Sequence, residues 1–132
     1  MANKLALLAL GGLLALTGCS SNLISEFKAD TDGRESRNSD LAPKALATCV
    51  RPYLEKTSSV GDSKPELRMQ VFGDRWEAWR LYATNGTRTV YLTEFEPRSE
   101  NGSTGTLFYS KSFNNIDELR ANFLAGMQAC KG

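Results

Sequence analysis

Between residue 66 and about residue 113 apolar positions mark four strand-like segments, alternating most clearly from Glu66 to Phe72, with a polar loop from Glu96 to Gly105 before the last. On either side of that stretch they recur at helical spacing. Upstream, Ala42, Ala45, Leu46, Cys49 and Tyr53 share a helical stripe and predict a helix from Asp40 to about Lys56. Ser39 or Asp40 can cap it, and Pro43 falls in the first turn, where a missing N–H costs nothing. Pro52 is expected to kink or end the helix near Val50 or Arg51. Downstream, Ile116, Leu119, Phe123, Met127 and Cys130 form a second stripe. Asn115 and Glu118 stand at capping-box spacing before it.

Four strand-like segments lie between these helices. Glu66 to Phe72 places Leu67, Met69 and Val71 on one face, and Gly73-Asp74 is a turn candidate. Arg75 to Ala83 and Thr87 to Phe95 flank Asn85-Gly86, a pair suited to a type I′ turn. A two-residue loop there pairs Thr84 with Thr87. Counting outward, Leu81 meets Val90 and Trp79 meets Leu92, on the face assigned to the core. The other face then holds Tyr82 opposite Thr89, Arg80 opposite Tyr91, Ala78 opposite Thr93 and Trp76 opposite Phe95. Thr106 to Phe113 is the fourth strand, with aromatics on both faces and its orientation open. The predicted fold class is α+β: a helix, a four-stranded antiparallel meander and a helix, with both helices on one sheet face.

The N-terminus follows a different pattern. Lys4 precedes an uncharged run from Leu5 to Leu16, and small residues lead to Cys19. A spanning helix needs about 20 apolar residues. This run is shorter and reads as a signal peptide. Leu16-Thr17-Gly18-Cys19 resembles the lipobox of bacterial lipoproteins. The resemblance implies a diacylglyceryl group on the Cys19 thiol, cleavage just before it and acylation of the new amine. Several acyl chains make such an anchor effectively permanent. It also implies export to the outer membrane, because Ser20 rather than Asp follows the cysteine. Residues 1–18 are then the signal peptide, 19–39 a lipidated flexible tether and 40–132 one periplasmic domain. The tether is polar apart from Leu23, Ile24 and Phe27, and as a coil it spans roughly 25 Å.

Charge and cysteine content narrow the picture. Loss of Lys4 removes one of 16 basic residues and leaves 15 against 15 acidic, a neutral mature chain. That gives no basic excess for nucleic acid and no polybasic run for anionic lipid. Of three cysteines, acylation of Cys19 leaves Cys49 and Cys130, which are expected to pair in an oxidising compartment. Two free thiols are the alternative. A metal site is poorly served by two cysteines in a chain with no histidine, and no cofactor is expected.

The missing histidine also excludes Ser-His-Asp and Cys-His catalysis. In the expected register Glu77 opposes Glu94, the kind of carboxylate pair a glycosidase uses, although two solvated carboxylates at the end of a sheet look the same. Trp76, Arg80, Tyr82, Tyr91 and Phe95 gather on the second hairpin face, and these residue types are enriched at binding hot spots. The expectation is a non-enzymatic envelope lipoprotein that docks another envelope protein. The alternatives are an inhibitor, immunity or phage-exclusion lipoprotein, and a small hydrolase using Glu77 and Glu94.

Overall fold

The computed structural model describes residues 24–60, 66–72, 77–85 and 88–132. The signal segment 1–18, the lipobox with Cys19, and Ser20, Leu23, Gly73-Asp74, Trp76 and Gly86 lie outside the described residues. The chain divides into two units, Met1–Asp30 and Thr31–Gly132. In the first, residues 24–30 are helical (α1). The second contains β1 (Gly33–Ser39), α2 (Pro43–Glu55), β2 (Glu66–Phe72), β3 (Ala78–Asn85), β4 (Arg88–Pro97), β5 (Ser103–Tyr109) and α3 (Ile116–Ala129). The fold is α+β, and its five-stranded sheet runs β1-β5-β4-β3-β2 with every neighbouring pair antiparallel.

The expected meander is present as β2 to β5. The fifth strand, β1, lies where a flexible tether was expected, so the folded unit begins at Thr31 rather than Asp40. β1 has the sequence GRESRNS and carries no apolar side chain on either face. It pairs with β5 along its whole length, from Gly33↔Tyr109 to Ser39↔Ser103. Side chains add to the ladder. Ser36 Oγ and Thr106 Oγ1 lie 3.0 Å apart, and Thr104 Oγ1 donates to Asn38 Oδ1 at 2.9 Å. Backbone pairing therefore makes this strand without the help of apolar alternation.

α2 starts at Pro43 after the extended Ala42, and neither Ser39 nor Asp40 caps it. Ser39 is used elsewhere: its hydroxyl accepts from the Leu41 N–H and donates to the Cys130 carbonyl. The helix also continues through Pro52. Pro52 and Thr48, whose carbonyl loses its partner, are both exposed, so water can replace the missing bond. At α3 the capping box does not form. Asn115 is left-handed with φ 65°, and its side chain donates to Ser59 Oγ at 2.8 Å. Glu118 accepts from the backbone N–H and hydroxyl of Ser58. Both side chains thus hold the segment after α2 instead of the start of α3.

One core cluster joins Leu46, Val50 and Leu54 of α2, Leu119, Phe123 and Met127 of α3, and Leu81, Tyr91, Phe95 and Leu107 of the sheet. In the ladders these four sheet residues share one face, so α2 and α3 pack on the same side. Cys49 and Cys130 form a disulfide between the helices, with 6.0 Å between their Cα atoms.

The hairpin register differs from the expected one in two steps. Asn85 pairs with Arg88, one residue further along each strand position than the Thr84–Thr87 pairing, a change that preserves the faces. Val90 is then an extra residue, because Thr84 pairs with Thr89 and Ala83 with Tyr91. This bulge turns both Val90 and Tyr91 into the core cluster and exchanges the faces of β4 beyond it. Trp79 consequently meets Phe95 rather than Leu92, and Arg80 meets Glu94 rather than Tyr91.

Candidate binding surfaces

The register decides which side chains share the sheet face away from α2 and α3. Across the strands its central row reads Arg68, Tyr82, Leu92, Phe108 and Arg34. The next row reads Gln70, Arg80, Glu94, Thr106 and Ser36. Of the expected hot-spot set, Arg80 and Tyr82 lie here. Tyr91 and Phe95 do not: both are buried in the helix-side core. The five-residue aromatic surface is therefore not assembled, because the bulge sends two of its members to the other face.

Arg80 is the most constrained group on this surface. Its guanidinium lies 3.5 Å from Glu94 Oε2 and stacks on Phe72, 4.0 Å from the ring centroid. Arg80 Nε is buried with no hydrogen-bond partner among the described residues. Burial pushes the Arg80 pKa down, opposed by the charges of Glu94 and Tyr82. Glu94 is only 3% exposed, and Leu92 and Phe108 beside it are buried outside the helix-side core cluster. The expected Glu77–Glu94 carboxylate pair is absent, since Glu94 faces Arg80 and Glu77 lies before β3 begins. On the opposite face, burial pushes the Tyr91 phenol far above its ordinary pKa, and nearby Glu55 adds to the shift.

A second surface runs between β1 and α3. The helix-side positions of β1 are Gly33, Glu35, Arg37 and Ser39, opposite Tyr109, Leu107, Gly105 and Ser103. A Cβ at Gly33 would overlap the Tyr109 ring, so that ring lies flat across the strand. With no large apolar side chain on β1, α3 is not sealed against the sheet edge. Glu35 Oε1 accepts two hydrogen bonds from Arg120, at 2.6 and 3.0 Å, and bridges the gap midway. This bond is the first cause of a raised Arg120 pKa. Two recesses flank α3, and only the second is lined by β1. One of about 500 Å³ lies toward the start of α3, against Tyr109, Lys111, Phe113 and Asp117. The other, of about 430 Å³, lies toward its end, lined by Arg37, Asn38, Leu124, Met127, Gln128 and Lys131.

Sequence reasoning did not find this second surface. Its sheet side belongs in part to a strand without a hydropathy signal. The one clue is Leu124, an apolar residue beside the predicted α3 stripe rather than within it. No known protein family model, no curated protein and no solved structure matches the chain.

Proposed function

We propose that this chain is a non-enzymatic lipoprotein of the cell envelope. It is anchored at the outer membrane through lipid on Cys19, faces the periplasm and serves as a docking or accessory subunit for another envelope protein. The observation that carries the reading is the Cys49–Cys130 disulfide. A disulfide suits an oxidising compartment, and this one leaves Cys19 as the only remaining cysteine, within the lipobox-like Leu16-Thr17-Gly18-Cys19. Two features support a binding role over a catalytic one. The chain has no histidine, and Glu94 is engaged by Arg80 rather than by Glu77.

Labelled palmitate should enter the wild-type chain, and Cys19→Ser should abolish it. Labelling that persists in Cys19→Ser overturns the anchor. For docking, a photo-crosslinking side chain at Tyr82 or at Gln128 should trap one defined envelope protein in intact cells. Trapping from neither position overturns the docking role.

A further inference from the structure

β1 is an edge strand, paired with β5 on one side and with no strand on the other among the described residues. The 430 Å³ recess opens along this edge. Its floor is the buried Met127 and half-buried Leu124. Its lining carries two cations, Arg37 and Lys131, and the carboxamide of Gln128, with Asn38 of the edge strand beside them and no carboxylate among the lining residues. The Asn38 side chain itself bonds Thr104 on the opposite sheet face, so its place in the lining is that of the strand edge. Arg37 has no carboxylate closer than 3.8 Å among the described residues. Its guanidinium donates to the Ser36 carbonyl at 2.7 Å, comes no nearer than 3.8 Å to Glu35, and the side chain is 54% exposed.

We infer that this recess takes an extended acidic peptide segment by addition to the β1 edge. Side chains on one face of an extended segment alternate, so an aspartate or glutamate and the apolar residue two positions away project together. The carboxylate sits between Arg37 and Lys131, and the apolar side chain covers Leu124 and Met127. The acid performs a second task. It draws the Arg37 guanidinium into a charge-assisted bond and away from the Ser36 carbonyl, so that this acceptor can meet the incoming main chain. A basic segment is repelled by the same two cations. A bilayer is a poor match, because the recess is concave, sits between a strand and a helix, and has room for a few side chains.

The test uses the full mature chain in detergent micelles with two capped, fluorescent hexapeptides. One alternates valine with aspartate and the other valine with lysine, and anisotropy reports binding. The acidic peptide should bind saturably and the basic one should not. The R37E/K131E double variant should weaken binding by about tenfold or more, as loss of two charge-assisted contacts predicts. Gln128→Glu should weaken it less, and Arg98→Glu, in the exposed loop after β4, should leave it unchanged. Bound peptide should slow hydrogen exchange at β1 amides. If the double variant misfolds, Gln128→Glu decides. Equal binding of both peptides, unchanged affinity in the recess variants, or no added protection of β1 overturns the proposal. So does binding of phosphatidylglycerol vesicles that depends on Arg37 and Lys131 while the peptide does not bind, which would assign the recess to lipid.

Discussion

The two edges of the sheet are held by opposite means. β2 turns Leu67 and Met69 toward the core cluster, where both are partly buried. Its charged residues Glu66 and Arg68 pair with each other in solvent. β1 has no apolar side chain, and it is fixed by its ladder to β5, by the Ser36–Thr106 and Asn38–Thr104 contacts, and by Glu35 on Arg120. One edge is secured by exclusion of water and the other by directional polar bonds. Each also has an arginine on a carbonyl, Arg51 on Leu67 and Arg37 on Ser36, which a foreign strand must contend with. Arg51 is itself fixed by Glu55 at 2.8 Å, whereas among the described residues the nearest acid to Arg37 is Glu35 at 3.8 Å. The same device is thus backed by a close carboxylate on one edge and by a more distant one on the other.

The difference can be broken or sharpened by experiment. The largest effect is expected from the disulfide, because it ties α2, over β3 and β4, to α3, beside β1. Cys49→Ser with Cys130→Ser should cost about 3–5 kcal/mol in urea unfolding and loosen both edges together. Gly33→Val should cost about 2–3 kcal/mol, because its side chain meets the Tyr109 ring. Hydrogen exchange should then accelerate in β1 and leave β2 unchanged.

The centre of the sheet supplies a reference for both edges. The Tyr91 phenol has its folded pKa raised above the ordinary 10.0. Its contribution is therefore fully present below about pH 10 and declines as pH rises above it. The loss is at most about 1.4 kcal/mol per pH unit. Tyr91→Phe should lose less stability than the wild type between pH 9 and pH 11 (about one unit either side of that ordinary value). Glu35→Gln should reduce exchange protection in β1 alone, and about 1 M salt should act in the same direction on the wild type. Arg51→Ala should have the smallest effect, about 0.5 kcal/mol or less, since its pair with Glu55 is exposed. A salt response at β2 as large as that at β1 would erase the distinction between the edges.

What was legible in the chain follows the same division. Glu66–Phe72 was read at its observed bounds, because alternation and burial coincide there. The stripe of α3 and the pairing of Cys49 with Cys130 were legible for the same reason, since apolar spacing and cysteine accounting are local signals. β1 was not legible, because its stabilisation comes from a ladder to residues 103–109, which its own sequence does not announce. The hairpin was half legible. The faces of β3 were as expected, and those of β4 were exchanged by one unpaired valine. The candidate sites suffered most. Tyr91 and Phe95 passed from surface to core through that residue, and the β1–α3 recess depends on a strand that polarity concealed.

Val90 also locates where this hairpin tolerates a change of length. Removing it would bring Thr89 and Tyr91 into succession opposite Thr84 and Ala83, and every later residue of β4 would keep its face. The loss would be confined to one buried valine side chain. Removing any single residue from Leu92 to Glu94 would instead carry Phe95 to the opposite side of the sheet. Insertions and deletions of equal size thus have unequal consequences a few ångströms apart. The strand has one position where its count can vary without changing what its other residues meet.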